Sequence, residues 1–89
     1  MNEAQYVRTK ELLSADVGDE LVALDADAGH CYGFNNVAAS VWRELAEPRS
    51  FNGLKLSLMN EYEVSEEQCA ADLSELLDDF VSKGLIRRT

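Results

Sequence analysis

The apolar residues of this chain change their spacing at one place, the stretch His30-Cys31-Tyr32-Gly33-Phe34-Asn35-Asn36. Before it lie short segments of strand chemistry; after it, apolar residues recur at helical spacing almost to the end. Strands first and helices after define a single α+β domain over residues 1–89. The stretch itself reads as a strand running straight into a helix cap. A strand so placed can lie at a sheet edge, and an exposed edge can recruit another chain.

Ahead of the switch, Tyr6-Val7-Arg8 suggests a short strand over about residues 5–9. Ser14-Ala15-Asp16-Val17-Gly18-Asp19 reads as a polar, glycine-containing connection. Glu20-Leu21-Val22-Ala23-Leu24-Asp25 is a better strand (20–25), with apolar weight from Leu21, Val22 and Leu24. Asp25-Ala26-Asp27-Ala28-Gly29 is a turn: aspartates hydrogen-bond their own backbone and glycine accepts positive φ. Residues 30–34 then return antiparallel, with His30, Tyr32 and Phe34 on one face and Cys31 and Gly33 on the other. Such a small three-stranded antiparallel sheet needs a helical layer to lie on.

Asn35 or Asn36 caps a helix over about 36–47, whose Val37, Val41 and Leu45, flanked by Ala38 and Trp42, form a broad stripe ended by Pro48. Ser50 caps a second helix (51–62) with Phe51, Leu54, Leu58 and Tyr62 on one face, and Gly53 weakens its first turn. Ser65-Glu66-Glu67-Gln68 is a capping box for a third helix (65–83) carrying Cys69, Leu73, Leu76, Leu77, Phe80 and Val81. Gly84 is a natural stop, after which Leu85-Ile86 folds back. The helices form a three-helix bundle behind the sheet.

The chain has 89 residues, of which 17 are acidic and 8 basic, for a formal net charge of −9. That sign repels phosphate backbones, so no nucleic acid is expected as a partner. No apolar run approaches the roughly 20 residues that span a bilayer, and residues 1–13, with Glu3, Arg8, Lys10 and Glu11, do not resemble a signal peptide. No membrane contact is expected, and the expected location is the cytoplasm. Cys31 and Cys69 form neither a disulfide framework nor a metal-ligand spacing, so no metal and no cofactor is expected; small buried hydrophobes are the simpler reading for both.

Catalysis finds no support. His30 and Cys31 are adjacent in one strand, so their side chains point to opposite faces and cannot act as a local pair. No catalytic residue is nominated. Asp72, Glu75, Asp78 and Asp79 make the last helix acidic on one side, which reads either as a solvated face or as a surface for a basic segment. A winged helix-turn-helix arrangement would normally point to a transcriptional regulator. Its recognition helix would here present Glu66, Glu67, Asp72, Glu75, Asp78 and Asp79, the wrong charge for DNA. An acyl-carrier reading fails because Ser74 lies mid-helix and an N-terminal sheet does not belong there.

Taken in order, Leu24-Asp25, Gly29-His30-Cys31-Tyr32-Gly33-Phe34-Asn35, Ala38, Val41-Trp42, Leu45, Glu61-Tyr62-Glu63-Val64, Asp72-Leu73, Leu76-Leu77, Phe80 and Gly84-Leu85-Ile86 resemble the PqqD-like family over about residues 18–87. The resemblance implies a winged-helix-like fold of three strands followed by three helices. It also implies a role as a recognition element for ribosomally made, modified natural products. The leader of a precursor peptide would add as a strand to the third strand of the sheet, with the last helix as the facing wall.

Carried over residue by residue, the peptide-binding set is His30, Cys31, Tyr32, Gly33 and Phe34 on the edge and Cys69, Asp72, Leu73, Leu76 and Asp79 on the wall. Residues 25–29 lack the Tyr-Pro-Glu-Gly character of PqqD proteins proper, and the end, Leu85-Ile86-Arg87-Arg88, has no tryptophan. Both departures point away from quinone-cofactor biosynthesis and its radical-SAM enzyme, which stand as the alternative. The Tyr-Gly-Phe-Asn junction is similar to stand-alone recognition proteins of lasso-peptide clusters. That likeness implies a leader peptidase and a macrolactam synthetase as enzyme partners. With a free sheet edge, the expected state is a monomer or a weak dimer.

Overall fold

A computed structural model describes residues 4–18 and 20–89. The element order is β1 (Gln5–Arg8), β2 (Leu13–Val17), β3 (Glu20–Asp25), β4 (His30–Phe34), α1 (Asn36–Glu44), β5 (Arg49–Ser50), α2 (Phe51–Glu61), α3 (Glu66–Ser82) and β6 (Ile86–Arg88). The chain is α+β, with a three-stranded antiparallel sheet backed by three helices, and a second small sheet beside it.

The strands of the main sheet are not the three expected. Its order is β2-β3-β4, and β2 lies in the stretch read from sequence as a connection. All five β2 residues are exposed, so neither face carries the burial signal that marks a strand. Only the alternation of Leu13, Ala15 and Val17 betrays it, and Ser14, Asp16 and Gly18 mask that alternation with turn chemistry. Gly18 takes φ 65° in the turn to β3, while Asp19 lies outside the described residues. The early strand at Tyr6–Arg8 exists, but it pairs elsewhere: β1 joins β5 and β6 in the order β5-β1-β6, with Tyr6 opposite both Arg49 and Arg88. The Leu85-Ile86 return is thus the entry to a strand, held to the N-terminal segment by Thr9 N–H donating to the Leu85 carbonyl at 3.0 Å.

The β3–β4 hairpin follows from Asp25 and Gly29. Asp25 Oδ1 accepts from Ala28 N–H at 3.1 Å and its carbonyl from Gly29 N–H at 2.8 Å, while Gly29 sits at φ 72°. The second carboxylate oxygen accepts from Lys10 Nζ at 2.8 Å, which ties the segment between β1 and β2 to the hairpin end. That contact holds the Asp25 carboxyl below its ordinary range and raises Lys10. The hairpin register runs from Leu21 opposite Phe34 to Asp25 opposite His30. Leu21, Ala23 and Phe34 therefore point into the core, and Val22, Leu24, Cys31 and Gly33 point outward.

Asn35 is the cap of α1, its side chain accepting from Ala38 N–H at 2.9 Å. The helix ends at Glu44, three residues before the expected end at 47. Ala46 and Glu47 instead turn towards β5, as the restriction on residues preceding Pro48 favours. Ser50 caps α2 by accepting from Gly53 N–H at 3.0 Å. The α3 capping box is only half made. Ser65 Oγ accepts from Gln68 N–H at 3.1 Å, but the Gln68 side chain donates forward to Asp72 at 2.8 Å instead of back to the cap. Gly84 closes α3 at φ 73°.

The core gathers Val41, Trp42, Leu45, Leu54, Leu58, Leu73, Leu77, Phe80, Leu85 and Ile86 beneath the sheet. At its centre Phe34 meets Trp42 at 5.8 Å and Phe80 at 5.2 Å between ring centroids, and Trp42 meets Phe80 edge-on at 5.9 Å. The Arg8 guanidinium lies 4.1 Å over the Trp42 ring and donates to the Trp42 carbonyl, which fastens the second sheet to α1. Burial lowers the Arg8 pKa, partly offset by Glu11 3.6 Å away. Among the described residues no helix is long and apolar enough to cross a membrane.

Candidate peptide-docking edge

Because β4 ends the sheet order, one side of it pairs with β3 and the other carries no strand among the described residues. Its backbone groups on that side are available to a further strand. Asn35, the residue after the strand, caps α1, so the outer edge is anchored by a helix start. Along the strand the inward-facing rings form a ladder. His30 and Tyr32 meet edge-on at 6.2 Å, with the Tyr32 hydroxyl 3.4 Å from His30 Nδ1, and Tyr32 stacks on Phe34 at 6.3 Å. Phe34 is core; Tyr32 is half-buried; His30, Cys31 and Gly33 are exposed. The edge therefore offers backbone along its length and side chains mainly at its hairpin end.

α3 passes alongside. Phe80 carries the Phe34 contact, and Lys83, the α3 cap residue, sets its ammonium 5.9 Å from the Tyr32 ring centre while bonding Asp79 at 2.8 Å. Asp72, Glu75, Leu76 and Asp79 line a shallow depression on this helix. The five helix residues expected as a wall divide into two groups. Asp72, Leu76 and Asp79 lie along that depression, whereas Cys69 and Leu73 are core residues, 3% and 1% exposed. Cys69 donates to the Lys55 carbonyl at 3.7 Å, and burial together with Asp72 pushes its thiol pKa up, against a smaller opposing effect of Lys55. It is a packed thiol, held away from solvent.

Cys69 and Leu73 do reach one opening. With Val37, Leu58, Tyr62, Val64 and Asp72 they line an apolar pocket of about 60 Å³ where α1, α2 and the start of α3 converge. Val37 follows β4 by three residues, so the pocket lies just past the end of the edge. Val37 and Leu58 are legible in the sequence only as helix-stripe residues, while Tyr62 and Val64 belong to the Glu61–Val64 run of the family resemblance, which assigns them no role. Lys83 as a partner of Tyr32 has no sequence signal either. A wider hollow of about 450 Å³ is lined by Ser40, Arg43, Glu44, Glu47, Arg49 and Glu61. It includes no residue of β4 or α3, so it is separate from this edge.

A family model described as coenzyme PQQ synthesis protein D (PqqD) matches residues 20–86, from the start of β3 to the start of β6. The chain belongs to the PqqD family. No curated protein matches it. Two solved structures share the PqqD-like fold. TbiB1 in complex with the TbiA(beta) leader peptide is similar at 25% identity, with 91% of this chain and 94% of that chain covered and a TM-score of 0.79. A lasso peptide synthetase B1 complexed with the leader peptide is similar at 23% identity, covering 92% and 96%, with a TM-score of 0.76. The match of PqqD to residues 20–86 leaves out β1 and β2, the two N-terminal strands.

Proposed function

We propose that this PqqD-family chain binds the leader segment of a ribosomally synthesised precursor peptide by strand addition to the free edge of β4. The observation that carries the reading is that edge, anchored by the Asn35 cap and flanked by α3, in a fold shared with two proteins solved with leader peptides. Backbone hydrogen bonds along His30–Phe34 would set the register, and side-chain seats would choose the partner. Asp72, Leu76 and Asp79 would meet the leader's flank, and an acidic flank favours a leader carrying Lys or Arg. The apolar pocket floored by Cys69 and Leu73 supports a seat for one apolar leader side chain.

The chain would act without chemistry of its own. Holding the leader converts the encounter between precursor and processing enzyme into a local one and raises the effective concentration. The enzymes it would serve are a leader peptidase and a macrolactam synthetase, in the cytoplasm; a radical-SAM enzyme is the alternative if the product is a quinone cofactor. Calorimetry with the leader of the precursor encoded beside this chain tests the reading. One-to-one binding is expected, and no heat at tens of micromolar refutes it.

A further inference from the structure

The main sheet has two ends, and β2 is the other one. All five of its residues are exposed, with Leu13 and Val17 at 67% and 60%. Ser14 and Asp16, on the helix-facing side, are exposed too, with a hollow between Asp16 and α1 that the Arg43 side chain spans. Natural edge strands are usually blunted by lysine, proline, a bulge or a covering segment. β2 contains no lysine or proline, and it pairs with β3 residue for residue from Leu13–Leu24 to Val17–Glu20 without a bulge.

The sequence of this edge is complementary to itself. An antiparallel pair about a two-fold axis at Ala15 sets Ala15 against the partner's Ala15, Leu13 against the partner's Val17, and Ser14 against the partner's Asp16. Apolar meets apolar on the outer face, and a hydroxyl meets a carboxylate on the inner face. Asp16 is the one charged residue of the strand, and Arg43 pairs with it. No like charges are opposed across the junction. The axis also keeps the apolar outer faces, Leu13, Ala15, Val17, Val22 and Leu24, on one side of both copies.

We propose that β2 is an interaction edge for a second copy of this chain, joining two main sheets into one six-stranded sheet. The β4 edges would stand at its two outer ends, each free for a strand of its own, so the pairing does not depend on leader binding. The interface is small, and each copy carries a net charge of −9. Pairing is therefore reversible, promoted by concentration and by salt that screens the repulsion.

Sedimentation velocity from low-micromolar to millimolar concentration at high salt should show a mass rising towards twice the monomer. Ala15→Glu should hold the chain at monomer mass with an unchanged thermal melt, because it sets two carboxylates face to face on an exposed site. Leu56→Glu, which adds the same charge on an exposed α2 site, should leave the rise intact. In a Cys31→Ser background, Ala15→Cys should form a disulfide-linked dimer on mild oxidation about tenfold faster than Ser14→Cys, which would face the partner's Asp16 instead of itself. Monomer mass throughout, a rise that survives Ala15→Glu, or equal crosslinking at positions 14 and 15 would each overturn the proposal.

Discussion

Successive backbone amides along a β-strand point to opposite edges, so strand addition at β4 imposes an alternating response to proline. Positions 31 and 33 share one direction and position 32 the other. On one set the amide belongs to the ladder with β3; on the other it faces the incoming leader. A proline on the leader side removes one donor and leaves a leader carbonyl unmatched in a part-buried ladder. That costs about 1–3 kcal/mol, or roughly five- to 150-fold in affinity, with little change in folding. On the β3 side the same loss falls on the fold. In a domain of this size about 1–3 kcal/mol lowers the melting temperature by roughly 4–20 °C. Cys31→Pro and Gly33→Pro should therefore behave alike, and Tyr32→Pro oppositely, with Tyr32→Ala separating loss of the ring from loss of the amide. Calorimetry with the leader and thermal melts followed by circular dichroism measure both quantities on each variant. If all three prolines weaken binding equally while all three melt like the parent, the leader does not add as a strand to β4.

Phe34→Ala should cost about 3–5 kcal/mol, because the ring is buried between Trp42 and Phe80 at the centre of the core; chemical denaturation reads this directly. Asp25 should contribute stability at neutral pH that is lost as pH falls through its lowered folded-state value, because the Lys10 contact favours the charged carboxylate. Lys10, whose pKa is raised, contributes below its ordinary value and loses that contribution as pH climbs through the folded one. Melts across the acid range should show the first loss in the parent and not in Asp25→Asn. Replacing Asp72, Glu75 and Asp79 together by their amides should weaken a basic leader by about 0.2–1 kcal/mol per contacting pair, and added salt should weaken the parent complex more than the triple variant.

The helices are legible because each repeats its signal. The α1, α2 and α3 stripes recur over several turns, and their caps at Asn35, Ser50 and Ser65 are single residues with single roles. β3 and β4 are legible because a turn of defined chemistry joins them. β2 is not, since an outer edge strand escapes the burial that imposes a pattern. The second sheet is beyond local reading: Tyr6 meets Arg88 across nearly the whole chain, and no window of sequence contains both. On α3, 3.6-residue spacing already puts Cys69 and Leu73 on the stripe with Leu77 and Phe80, so they floor the small pocket between the helices instead of standing on the outer wall. Asp72, Leu76 and Asp79 fall beside the stripe, where contact with a partner and contact with the core can be shared.

The Phe34–Trp42–Phe80 cluster gives the molecule a built-in optical gauge. Trp42 is the single tryptophan, 3% exposed, with the Arg8 guanidinium over one side and Phe34, the last residue of β4, packed against it. Its emission should sit at the short wavelengths of a dry indole and move to the red only when the core opens. A strand arriving at β4 would reach that ring through one intervening side chain, Phe34, and change its intensity without shifting its colour. One fluorophore, needing no label, would then tell occupancy and unfolding apart in the same titration.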